Sequence, residues 1–261
     1  MGILLKSGLE FPLIQSAALA LVAIGFLMTL LNCLPGIKNL IPKRSLQLGS
    51  AFGNTGYFGI PVSLALLPNH ALIYSIGFDL GATLVIWSIG PILLTDSSKV
   101  SSSNRYWQDF IKEIFRSPAV KGLIGALIVH SSPWNEQITA LLWIPSRVVI
   151  VLALVIVGMR LSWLRKANLS RIKIQITSIK NALIMKLVGL PVIMLIISSA
   201  IRLPNVMREA LVLQSAAPTA ISVLLISQAA SRDEEEATSL VVLSTIIALI
   251  SIPAWLMILR L

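Results

Sequence analysis

Charge is scarce in this chain: of 261 residues, 12% are Asp, Glu, Lys or Arg, about half the share usual in a soluble domain. That shortage excludes a charged, water-facing shell around a core of this size. Cysteine is rarer still. One residue, Cys33, leaves no internal disulfide. With two histidines, His70 and His130, there is no Cys/His set at metal-ligand spacing, so neither a metal nor any other cofactor is expected. Ser/His/Asp nucleophilic sets and the glycine motifs of nucleotide binding are also missing, which ranks a membrane enzyme behind the other readings. The first ten residues lack a basic stretch followed by a small-residue cleavage site, and the next apolar run is too long for a signal peptide. It reads as a first membrane span.

What the chain has is apolar length. Hydrophobic residues make up 56% of it and the mean hydropathy is +0.88. Uncharged runs cover residues 11–37, 45–78 and 237–259. At 1.5 Å per residue each is long enough to cross a hydrocarbon layer about 30 Å thick. Amides in lipid need partners within their own segment, so the runs should be helices. The expected fold is an all-α membrane protein with about eight spans, at roughly 11–34, 48–67, 71–94, 118–132, 138–159, 182–202, 207–228 and 237–259.

The net charge of +10 would suit a nucleic acid, but its distribution does not. With the connections alternating sides, one side carries 16 basic residues, Lys186 among them, and the other carries Lys6, Arg202, Arg208 and Arg260. The positive-inside bias makes the first side cytoplasmic and puts both termini outside, in a cell membrane. No nucleic-acid partner is expected; the partners are the bilayer and a solute, and a homodimer is left open. Residues 104–116 place Tyr106, Trp107, Phe110, Ile111, Ile114 and Phe115 at helical spacing, as in a helix lying in the interface. The basic stretch 162–180 suits anionic lipid or, as the preferred reading, a solvated connection that sets topology.

Two spans are interrupted. Gly49-Ser-Ala-Phe-Gly-Asn-Thr-Gly-Tyr-Phe-Gly-Ile-Pro61 has four glycines ahead of its proline, with Asn54 among them. Leu213-Gln-Ser-Ala-Ala-Pro-Thr-Ala-Ile-Ser222 has Pro218 near its centre. Proline removes a donor and glycine weakens a helix. The freed backbone groups at mid-membrane then need a partner, which a polar solute can be. A single kink is usually packing alone, but here two such units match. Each continues through a short turn into a span ending with a proline, Pro91 or Pro253, at intervals of 30 and 35 residues. The units run in opposite directions, and paired interruptions in inverted halves point to the binding site of a secondary transporter.

Those same stretches carry a resemblance. Asn54-Thr-Gly-Tyr-Phe-Gly-Ile-Pro61, Gln214-Ser-Ala-Ala-Pro218-Thr-Ala and Leu243-Ser-Thr-Ile-Ile-Ala-Leu-Ile-Ser-Ile-Pro253 look like signature stretches of the auxin efflux carrier family. Ser117-Pro118 with Gly122-Leu-Ile-Gly125, and Val157-Gly-Met-Arg-Leu161, are weaker matches in the same order. The resemblance implies inverted five-helix repeats, with two broken helices crossing at their prolines beside a small organic anion. By that resemblance Pro61 and Pro218 mark the crossover. Asn54 contributes to the substrate pocket, and Gln214 and Ser215 are further candidates. Residues 11–94 and 182–261 would form the moving transport domain, and 118–159 the scaffold pair. The segments 95–117 and 160–181 would be cytoplasmic connections. The chain begins where the third helix of the family would begin. A non-transporting subunit derived from a carrier is therefore the alternative to a carrier.

Asp79 and Arg147 are the charged residues singled out inside spans. Asp79, in Gly77-Phe-Asp79-Leu-Gly81, reads either as a coupling or substrate-contacting carboxylate or as a group hydrated near the outer surface. Arg147 stays ionised, so it needs an anion or water. Asp79, an anionic substrate, or an interaction normally made with the two absent helices are the candidates. Asp233-Glu-Glu-Glu236 suits the N-terminus of the last helix.

Overall fold

The computed structural model describes residue 5 and residues 10–94, 118–163 and 169–261. Among these the backbone forms twelve α-helices and no strand, so the chain is an all-α membrane protein. Among the described residues four helices are long and apolar enough to cross a membrane: Phe11–Cys33, Asn69–Leu94, Ile176–Ala200 and Glu234–Arg260. Shorter apolar helices lie between them.

Helix α1 (Phe11–Cys33) leads through the short α2 (Pro35–Leu40) to α3 (Arg44–Ala51). A wide π turn, Thr55–Gly59, precedes α4 (Ile60–Leu66), and α5 (Leu72–Leu94) follows. Helix α1 lies along α5, and glycines permit that approach. A Cβ on Gly77 would collide with the Leu13 carbonyl, and one on Gly81 with the Ala17 carbonyl. Small residues four apart let two helices touch backbone to backbone where lipid supplies no hydrophobic drive for association.

Helices α6 (Pro118–His130) and α7 (Asn135–Trp163) come next. On α7, Leu141, Ile144, Val148, Leu152 and Val155 are exposed at intervals of three and four residues. A one-sided apolar stripe turned outward suits lipid. The connection 104–116, with its amphipathic spacing, lies outside the described residues. Within 162–180, residues 169–180 are not a loop. They belong to α8 (Leu169–Ile184), which continues through a second π turn, Met185–Gly189, into α9 (Leu190–Ala200).

The last three helices are α10 (Asn205–Ser215), α11 (Ile221–Ala229) and α12 (Glu234–Arg260). The most deeply placed elements are the two interrupted rods. Every residue from Ser45 to Ala51 and from Ala210 to Ala220 is buried. Helix α12 holds them at both ends. At one end Lys43 pairs with Glu236 at 2.6 Å and with Asp233 at 3.5 Å, and Ser45 donates to Asp233 at 2.8 Å. At the other, Arg260 pairs with Glu209 at 3.2 Å. The expected interruptions are both present, but the first lies earlier than Pro61: the helix stops at Ala51 and irregular backbone covers residues 52–54. Pro61 instead sits two residues past the π turn, inside the continuous helical run Thr55–Leu66, so it does not mark the break.

Candidate functional site

The two rods meet at their breaks. Gly53 pairs with Thr219 in an isolated antiparallel bridge. The Asn54 amide donates to the Pro218 carbonyl at 2.6 Å, and the Ala220 amide donates to the Phe52 carbonyl at 3.0 Å. Backbone groups freed by each interruption thus partner those freed by the other, as burial away from water demands. Side chains reinforce the crossing. Thr219 donates its hydroxyl to the Gly49 carbonyl at 2.9 Å, and its amide donates to Ser244 Oγ at 2.9 Å.

A common local rule shapes the neighbouring turns. Gly59-Ile60-Pro61 and Gly189-Leu190-Pro191 each place a proline in the first turn of a helix that follows a π turn. Proline withholds the amide that the carbonyl four residues earlier would accept. Around the first, the Asn54 carbonyl accepts from the amides of Phe58 at 3.1 Å and Gly59 at 3.0 Å. Around the second, the orphaned Leu187 carbonyl accepts from the Trp255 indole at 2.9 Å.

Of the candidate residues, Asn54, Gln214, Ser215 and Pro218 come together here. Asn54 is 6% exposed. Its side-chain amide makes no hydrogen bond among the described residues, so two donors and an acceptor stay uncommitted. Gln214 donates to Ser63 Oγ at 3.1 Å, and Ser75 donates to the same oxygen at 2.9 Å. Gln214 Oε1 packs on Gly59 and is buried with no hydrogen-bond partner among the described residues. Ser215 spends its hydroxyl on the Val212 carbonyl at 2.6 Å. Pro61 lies two residues past the π turn, in α4, buried rather than at the bridge.

Asp79 borders the first π turn. Thr55 donates to Asp79 Oδ1 at 2.6 Å and Thr83 at 3.5 Å, and the same carboxylate oxygen lies 3.1 Å from the Cβ position of Gly56. The backbone of Arg147 belongs to α7, while its side chain, and with it the pairing with Asp79, lies outside the described residues.

Sequence reasoning missed Lys186. It counts there among the cytoplasmic cations, yet it is 0% exposed, in the second π turn. Its ammonium donates to the Ser215 carbonyl at 2.7 Å and lies 3.0 Å from the Cβ position of Gly53. The misplacement has a simple cause. The helix containing Lys186 begins at Leu169, not near residue 182, so a cation taken for a span end lies well inside. Its position in an otherwise uncharged stretch, 181–201, was the available signal.

The arrangement combines two broken helices paired backbone to backbone, an uncommitted amide, an unpartnered carbonyl oxygen and a buried ammonium. It offers binding groups for a polar solute and no nucleophile set. The family model for membrane transport proteins matches residues 2–256. No curated protein matches the chain at a significant level. With the match covering nearly its whole length and the signature stretches forming the crossing, the chain belongs to the membrane transport protein family, that of the auxin efflux carriers.

Proposed function

We propose that the protein is a secondary carrier that moves a small organic anion across a cell membrane by alternating access at the helix crossover. The observation that carries this reading is the bridge between the breaks, Asn54 to Pro218 and Ala220 to Phe52, beside an Asn54 side chain that makes no hydrogen bond among the described residues. Discontinuous helices at mid-membrane present partial charges and free polar groups to a solute. A bridge of two hydrogen bonds can shift as a unit with residues 11–94 and 182–261, while 118–159 stays as the scaffold.

The test is substitution of Asn54 with Ala in proteoliposomes loaded with radiolabelled carboxylates. Uptake should fall to the level of protein-free vesicles while the purified variant melts within a few degrees of the parent. Undiminished uptake would remove Asn54 from the site.

A further inference from the structure

Lys186 has no counter-charge paired with it among the described residues. A buried ammonium carries three donors, and among the described residues one is used, on the Ser215 carbonyl at 2.7 Å. Among the described residues no ion pair involves Lys186; those of Lys43 with Asp233 and Glu236 and of Arg260 with Glu209 lie elsewhere. Burial of a charge is costly unless a counter-charge and further hydrogen bonds compensate it. A cap for the last turn of α10 needs only a donor, and a neutral side chain would supply one without that cost.

The site also faces the right place. Ser215 ends the helix from which the second break starts, and Gly53 is the bridged residue of the first. Glycine leaves no side chain between the ammonium and the bridge; a Cβ there would stand 3.0 Å from Lys186 Nζ and 3.3 Å from the Ala217 carbonyl oxygen. Asp79 lies beyond Gly56, with its Oδ1 engaged by Thr55.

We infer that Lys186 is the residue that selects a carboxylate at the crossover: its ammonium rests on the Ser215 carbonyl in this conformation and turns its free donors to the anion when the bridge opens. This rests on the carrier reading and names the group that gives the site its preference for anions. A carboxylate reaching Lys186 supplies the missing counter-charge, and its departure returns the ammonium to the helix end. The neutral amide of the same acid supplies no counter-charge and is rejected.

The experiment uses the purified full chain and a panel of acetate, malonate, succinate, benzoate and indole-3-acetate, each beside its neutral amide. Thermal shift and proteoliposome uptake are the readouts, at constant ionic strength. The wild type should be stabilised by at least one acid and by none of the amides. In Lys186→Met the affinity for that acid should fall at least tenfold, with the gap between acid and amide closed. Retention of acid affinity within twofold in Lys186→Met overturns the assignment while leaving the carrier reading intact. A wild type that responds to no acid, or equally to acid and amide, overturns both the anion class and the role of Lys186. Should Lys186→Met fail to fold, Lys186→Arg decides. A planar guanidinium fork suits carboxylates differently from an ammonium, so the order of acids in the panel should change, and an unchanged order overturns the assignment.

Discussion

Trp255, four-fifths of the way along α12, donates its indole N–H to the carbonyl of Leu187, 2.9 Å away in the π turn before Pro191. The contact joins the last helix to the turn that carries Lys186. Pro191 creates the orphan acceptor and Trp255, 8% exposed, answers it. An indole is donor only, so the pairing has one sense.

Replacement of Trp255 with Phe keeps the ring and removes the donor. The Leu187 carbonyl is then buried without a partner, at a cost of about 1–3 kcal/mol. The variant should melt several degrees below the parent in the same detergent. Trp255→Phe with an unchanged melting temperature would mean that the carbonyl finds another donor and that the π turn does not depend on α12.

The spans were legible because lipid permits little besides an apolar helix, and the hydrophobic runs for α1, α5 and α12 end within a few residues of the helices. The breaks were legible too, from clustered glycine and proline. The exact place of the first was not. Pro61 is the loudest signal in its stretch, yet the helical run Thr55–Leu66 continues through it. The interruption at residues 52–54 is set by pairing with residues 218–220, a contact about 165 positions away in sequence, which local propensity does not register. Lys186 was hidden for a related reason. Hydropathy marks a charge as a probable span end, and only the tertiary packing reveals that this ammonium is enclosed. The Asp233–Glu236 turn, read as a match to a helix N-terminus, has a second use that sequence spacing could not give: it receives Lys43 and Ser45 from the start of α3.

That latch yields a prediction with a defined pH window. The hydrogen bond from Lys43 to Glu236, aided by the charges of Glu236 and Asp233, outweighs partial burial and raises the Lys43 pKa above its usual 10.5. A raised folded-state value favours the protonated form. The pair's contribution is therefore fully present below pH 10.5 and is lost as the pH climbs through the folded value. Lys43 is 39% exposed, so the contribution is held to about 1 kcal/mol or less. Lys43→Ala should melt slightly below the parent by a constant margin from neutral pH to about pH 10, with the margin shrinking at higher pH. A margin that grows on the alkaline side would contradict the pairing.

Gln214 separates stability from transport. Its Nε2 donates to Ser63 at 3.1 Å, whereas its Oε1 is buried without a partner among the described residues. Gln214→Leu gives up one neutral hydrogen bond, a loss of about 0.5–1.5 kcal/mol, and relieves an unsatisfied acceptor that costs about 1–3 kcal/mol. Ser63 still receives the Ser75 hydroxyl at 2.9 Å. The two changes nearly cancel, so the variant should melt close to the parent or slightly above it. Transport should respond differently: a polar group kept unsatisfied beside the crossover has its use when a solute arrives, and proteoliposome uptake should drop at least tenfold. Gln214→Leu with a large loss of stability would show that Oε1 already has a partner, and uptake at the parental rate would take Gln214 out of the solute's path.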